Sequence, residues 1–294
     1  MWHEIGHRKG CRGVEIIMIS GRTSLIAHLG YPTATFKAPM IYNPWLESRG
    51  IDAVVVPMGV TADDFPVFLR TLFRLSNIHG ALVTMPHKVS VVGLLDAVSV
   101  AVEIAGSCNA VLRRPDGSLF GDMFDGAGFT RGAQRTGFDF AGASCLVVGA
   151  GGVGSAIAAA IAAERPRRLA ICDTRIAVAE ALAARLRKHY PELSLAVRGN
   201  DPAGFDLVVN ATPLGMNRDD PLPFDPARLG RGCLVGEVVL SAEMTPLLQE
   251  AAARGCRYLV GTDMLFEQIP AYLEFFGYGT TSPDELRAVA QISY

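Results

Sequence analysis

Short apolar, β-branched runs alternate with stretches of helical spacing along most of the chain. Residues 16–19 (IIMI), 53–57 (AVVVP) and 81–84 (ALVT) are runs of strand length with amphipathic stretches between them. The same rhythm restarts at 145–149 (CLVVG) and continues through 168–172, 195–198, 206–210 (DLVVN), 234–239 and 258–260. Strand signals that alternate with helix signals predict an α/β fold with mostly parallel sheets. The later series supplies enough strands for one doubly wound sheet. A turn-rich stretch, GDMFDGAG at 121–128, separates the two series. The last stretch, 264–294, predicts two helices broken around 277–283 and contains no strand of its own. It is expected to pack back on the first series. The predicted organisation is two α/β domains, one discontinuous over 1–124 and 262–294 with a mixed, mostly parallel sheet, the other over 125–261.

Length agrees with this division, because 294 residues exceed the size at which a single core usually stops growing. A formal charge of −2 leaves no electrostatic footprint for nucleic acid or for an anionic membrane surface. The six cysteines are scattered, with no Cys-x-x-Cys pair and no histidine at metal-ligand spacing. They predict reduced, mostly buried thiols in a cytoplasmic protein and no metal site. The first seventeen residues are polar and lack the apolar stretch of a signal peptide, and Met18 is an alternative start. Residues 144–163 carry no charge and are long enough to span a bilayer. Their central glycines and many alanines predict a buried strand, a tight turn and a helix instead.

That turn carries the first chemistry. Gly149, Ala150, Gly151, Gly152, Val153 and Gly154 follow an apolar strand and open an alanine-rich helix. Glycine permits a tight turn and close backbone approach, and the free N–H groups of a helix start face a pyrophosphate. The next strand ends in Asp173, about twenty residues on, where a carboxylate accepts hydrogen bonds from the ribose hydroxyls of NAD and repels the 2′-phosphate of NADP. Arg175, two residues later, is able to pair with that phosphate, so NAD is the favoured cofactor and NADP stays open. The plainer alternative is a glycine turn without ligand and an Asp173 that caps the next helix.

Several segments together resemble the shikimate dehydrogenase family, including its quinate dehydrogenase branch. They are VTMPHK (83–88), AGSCNAV (105–111), FDGAG (124–128), VVGAGGVGSA (147–156), NATPLGM (210–216), TPLLQEAAARG (245–255) and GTDMLFEQ (261–268). The resemblance implies a substrate domain and a Rossmann-type dinucleotide-binding domain with a cleft between them. It places Lys88 on the family's catalytic lysine and Asp125 on its partner aspartate. Thr84, Asn109 and Gln268 fall on residues that hold ring hydroxyls. Ala211, Thr212, Pro213, Met216, Gly261 and Met264 fall along the cofactor, mainly its nicotinamide half. His87, beside Lys88, is expected to point away from it in an extended segment.

The sequence also departs from the family pattern. The Ser-x-Ser-Pro turn whose hydroxyls bind the substrate carboxylate aligns with Phe36, Lys37, Ala38 and Pro39, and the tyrosine of the Asp-x-x-Tyr strand aligns with Leu240. Leu82, Met123 and Phe124 replace other polar positions. Either Thr35 and Lys37 reach a carboxylate from another angle, or the substrate carries an uncharged group there. The reading is an NAD(P)-dependent oxidoreductase acting on a cyclic polyol or hydroxy acid. The alternatives are a non-catalytic nucleotide or ligand sensor on the same fold and, more remotely, a methyltransferase using S-adenosylmethionine. A small molecule is the expected partner, with neither nucleic acid nor membrane, and a homodimer is left open beside a monomer.

Overall fold

The computed structural model describes residues 19–293. The strand expected at 16–19 falls outside them apart from Ile19, which is exposed and in no strand. Cys11, Met18 and the polar leader also lie outside.

The first sheet is built from β1 (Ser24–Gly30), β2 (Ala53–Gly59), β3 (Ile78–Val83), β4 (Ala97–Val98), β5 (Ala110–Arg113) and β6 (Leu119–Asp122), in the order β2-β1-β3-β5-β6-β4. β1 runs parallel to both β2 and β3, whereas β5 is antiparallel to β3 and to β6, so the sheet is mixed as expected. β5 and β6 form a hairpin across Pro115, Asp116 and Gly117. Asp116 accepts the Ser118 N–H at 2.9 Å and Gly117 takes a φ of +87°, a conformation that side chains resist. Two helices flank this half at α1 (Pro39–Ser48) and α2 (Phe65–Leu72), and α3 (Val100–Ala105) follows β4.

The second half contains α4 (Asp125–Arg135), β7 (Ser144–Val148), α5 (Gly152–Ala163), β8 (Arg168–Cys172), α6 (Ile176–His189), β9 (Leu195–Val197), β10 (Leu207–Asn210), β11 (Leu234–Glu237), α7 (Pro246–Ala253) and β12 (Arg257–Leu259). All strand pairs are parallel, in the order β12-β11-β10-β7-β8-β9. This is the doubly wound arrangement, and its direction reverses between β7 and β10, where open α/β sheets bind ligands. Cys145 and Val147 pack with Ile157 and Leu182 on one face, while Leu146 and Val148 pack with Leu247 and Leu248 on the other. Burial on both faces explains why these strands read as unbroken apolar runs. Segment 144–163 is β7, a turn and α5, and no helix among the described residues is long and apolar enough to cross a membrane.

The chain ends in α8 (Gly261–Phe275) and α9 (Pro283–Val289). Leu265, Ile269, Tyr272 and Leu273 of α8 and Leu286 of α9 share a core with Ile26 of β1 and with Tyr42 and Trp45 of α1. One expectation needs correction. Residues 121–128 are the end of β6 and the first turn of α4, joined by two residues. Gly126 and Gly128 serve helix packing there. An added Cβ would lie 2.1 Å from the Ala156 carbonyl oxygen at the first and 2.6 Å from that of Met264 at the second.

Candidate active site

A cavity of about 1020 Å³ is lined by residues of both sheets and of α8. On the second-sheet side its wall starts at the glycine turn. Gly149 has a φ of +103°, and a side chain there would press on the Ala211 carbonyl oxygen at 2.6 Å. A Cβ at Gly154 would lie 1.9 Å from the Gly149 carbonyl oxygen, so both positions are closed to other residues. At Gly151 a Cβ would meet nothing within 4 Å, and that open space belongs to the cavity. Gly151 is also the N-cap of α5, and no side chain caps the helix start. A concavity at a helix N-terminus without a side-chain cap fits a dinucleotide's phosphates.

Asp173 follows β8 and faces the same turn. Its Oδ2 accepts the Ala150 N–H at 2.8 Å, and its Oδ1 accepts the Arg175 N–H at 2.8 Å. Burial pushes this carboxyl up, but those two N–H groups and the Arg175 guanidinium 3.5 Å away outweigh it and hold the group below its ordinary value. Gly151, Gly152, Val153, Asp173, Arg175, Ala211, Thr212, Pro213, Met216 and Met264 all line the cavity. Ala150 and Gly261 do not. Ala150 meets the site through the N–H that Asp173 holds, and Gly261 packs so closely on the Val239 carbonyl that a Cβ would lie 2.2 Å from its oxygen. Beneath Thr212, whose hydroxyl donates to Asn210 Oδ1 at 2.7 Å, lies the buried Glu237. Burial raises its pKa against donors from Asn210, Val239, Val238 and Thr245.

On the first-sheet side, the turn after β3 carries Lys88 into the cleft. Its Nζ donates to Asp125 Oδ2 at 2.5 Å, and the two side chains are only 11% and 3% exposed. Asp125 is the first residue of α4, where the helix dipole favours a negative charge. The Lys88 Cβ lies 3.1 Å from where a Gly152 Cβ would be, and Ser107 Oγ donates to the Gly152 carbonyl at 2.8 Å. The pair therefore sits against the start of α5. Thr84 and Gln268 line the same space, and the buried Gln268 Oε1 has no hydrogen-bond partner. Asn109 does not line the cavity. It is wholly buried, and its Oδ1 accepts the Phe124 N–H at 3.0 Å, bracing the residue before Asp125.

Thr35 and Lys37 do line the cavity, with Phe36, Ala38 and Leu240 beside them. The Lys37 ammonium donates to the Ser293 carbonyl. His87 turns away, buried against Phe65 with its Nε2 2.9 Å from the Val60 carbonyl oxygen, and burial lowers its pKa. Sequence reasoning missed His28, Thr174 and Asn200, which also line the cavity. Thr174 and Asn200 follow β8 and β9, so their place at the strand ends was the available signal. For His28 the only signal was a histidine two residues before a glycine in an apolar run.

Comparison with known proteins identifies the family. Residues 29–111 match the family model described as the shikimate dehydrogenase substrate binding domain. The chain is 35% identical over 277 residues to the shikimate dehydrogenase (NADP(+)) of Acidiphilium cryptum (strain JF-5), covering 93% of this chain and 98% of that one. Among solved structures, shikimate 5-dehydrogenase from Listeria monocytogenes in complex with shikimate and NAD superposes with a TM-score of 0.82 at 26% identity, over 92% of this chain and 97% of its own. The ligand-free 5-ketofructose reductase of Gluconobacter sp. strain CHM43 superposes with a TM-score of 0.80 at 25% identity, over 92% and 98%. The chain belongs to the shikimate dehydrogenase family of NAD(P)-dependent oxidoreductases.

Proposed function

We propose that this protein interconverts a secondary alcohol and a ketone on a shikimate- or quinate-like cyclic polyol or hydroxy acid, with Lys88 and Asp125 handling the proton. The observation that carries this reading is the buried Lys88–Asp125 pair at 2.5 Å against the start of α5. Oxidation takes a hydride from the carbinol carbon and a proton from its oxygen, and the bound nicotinamide supplies the hydride acceptor. Lys88 in its neutral form takes the hydroxyl proton, and in reduction the ammonium returns it. Asp125 fixes the direction of the amine through its hydrogen bond to Nζ. Thr84 and Gln268 hold ring hydroxyls from the first-sheet side, and Asn109 contributes by bracing Phe124. Thr35 and Lys37 complete the substrate set.

On the other wall, the glycine turn from Gly149 to Val153 holds the pyrophosphate, with Asp173 and Arg175 at the adenosine ribose. Ala211, Thr212, Pro213, Met216, Gly261 and Met264 form the nicotinamide end. NAD is the proposed preference, because the Asp173 carboxylate is charged at neutral pH and opposes a 2′-phosphate. In this reading the substrate domain covers 1–124 and 262–294 and the dinucleotide domain 125–261. The unpaired thiols at Cys108, Cys145, Cys172, Cys233 and Cys256 accord with a cytoplasmic protein.

The test is NADH and NADPH absorbance on a panel of ring polyols, hydroxy acids and their ketones, wild type against Lys88→Ala. Turnover that Lys88→Ala lowers by about 100-fold or more supports the reading. No turnover with any panel member sinks it. Nucleotide binding without redox change would then favour the sensor.

A further inference from the structure

We propose that the substrate is an uncharged polyol or polyhydroxy ketone, without a carboxylate, and that His28 is the side chain that selects it. This rests on the oxidoreductase reading above and deepens it. His28 sits near the end of β1, lines the cavity, and is only 7% exposed. Its ring stacks on Phe36 with centroids 4.1 Å apart, and its Nδ1 is buried without a hydrogen-bond partner. A buried polar atom left unpaired costs free energy unless a ligand or water satisfies it. Gln268 lines the same cavity, and its buried Oε1 also has no hydrogen-bond partner; its side chain offers an amide oxygen that accepts and an amide nitrogen that donates. A hydroxyl satisfies both kinds of group, since it donates to the oxygen and accepts from the nitrogen, whereas a carboxylate only accepts and leaves the oxygen unpaired.

The rest of the wall points the same way. Phe36, Ala38 and Leu240 present carbon to the cavity. The Lys88 ammonium is bound to Asp125, and that of Lys37 donates to the Ser293 carbonyl. A carboxylate seated against Phe36, Ala38 and Leu240 loses hydration that those three side chains do not replace. Burial, with Lys88 nearby, also lowers the His28 pKa to about 3, so the ring is neutral at pH 7. A neutral imidazole has one donor and one acceptor nitrogen, which complements a hydroxyl and gives no charge to hold an anion.

The experiment is titration calorimetry on purified protein saturated with NAD or NADP. The probes are quinate and shikimate, each paired with the analogue bearing hydroxymethyl in place of the carboxylate, together with myo-inositol and a neutral ketohexose. The neutral member of each pair is expected to bind at least about tenfold tighter. His28→Val should weaken the neutral probes about tenfold or more while nucleotide affinity is unchanged, and His28→Asn should recover part of the loss. Tighter binding of the acids, no binding of any neutral probe, or a His28→Val protein that binds them like wild type overturns the inference. Failure of the underlying reading looks different. Neutral probes bound through His28 but never oxidised or reduced end the proposed reaction and leave the selectivity standing. Acids turned over in a Lys88-dependent way do the reverse.

Discussion

His28 ties the chemistry of the cavity to the stability of the fold. Burial first, and Lys88 second, lower its pKa from 6.5 to about 3. Between those values the unfolded chain binds more protons than the folded one, so stability is lost as pH falls. The loss begins near pH 6.5 and amounts to a few kcal/mol by the time pH reaches the folded value, as an order of magnitude. Asp173 also has a depressed pKa, but its contribution is lost only below the ordinary 3.8 of a free aspartate, which separates the two in pH. Thermal melts of wild type and His28→Val between pH 7 and about pH 4.5 should therefore show a flatter slope for the variant. Parallel slopes would mean that the ring is not held neutral in the fold. At the proposed reacting end, Asp125→Asn keeps a hydrogen-bonding group beside Lys88 and removes the carboxylate of the pair. In the oxidation direction kcat is expected to fall about tenfold or more with KM little changed, whereas a purely structural role for Asp125 would lower stability in urea without that split.

Helix α4 is the element that sets this pair, because Asp125 is its first residue and its glycines fix its depth. Gly126 meets the Ala156 carbonyl and Gly128 that of Met264, so α4 is wedged between α5 and α8 with backbone close to backbone. Gly126→Val should cost about 1–3 kcal/mol in urea unfolding, since a carbonyl cannot swing aside as a flexible side chain can. Gly132 on the same helix has only ordinary contacts near 3.9 Å, and Gly132→Ala should stabilise by up to about 1 kcal/mol through helix propensity. Equal effects at the two positions would refute the packing argument. These glycines also show where sequence reading stops. They looked like turn residues, and only the neighbouring helices reveal that they are contact residues. The strands of the second sheet were legible because burial on both faces left unbroken aliphatic runs. β1 was not, since SLIAHLG interrupts its run with His28, and the four-residue strands β5 and β6 are too short to show a period. Lys88, Asp125 and the glycine turn were legible from motif order. Which way His28 faces, and that Asn109 braces Phe124 away from the cavity, depend on the pairing of β1 with β3 and of β5 with β6, which no local pattern encodes.

For the whole molecule, the cavity joins two sheets, so ligand binding should report on the stability of both. A nucleotide at 100 times its Kd adds about 2.7 kcal/mol to folded-state stability, or several degrees in a chain of this size. The size of the shift with NAD against NADP reads the cofactor choice without any substrate. Two groups at the end of β8 act in opposite senses. On the proposed reading Asp173 opposes a 2′-phosphate, while Arg175, with its side chain 69% exposed, has the charge to accept one. The carboxylate has the firmer position, since both its oxygens are held by backbone N–H groups, and a fixed charge discriminates better than a mobile one. NAD should therefore give the larger shift. Asp173→Asn should reduce the difference by about tenfold in relative Kd, because the amide keeps an acceptor for the turn and removes the repulsion. Arg175→Ala should leave NAD binding almost unchanged. If NADP gives the larger shift and Arg175→Ala abolishes that advantage, the guanidinium is the phosphate partner and the carboxylate serves only to hold the glycine turn.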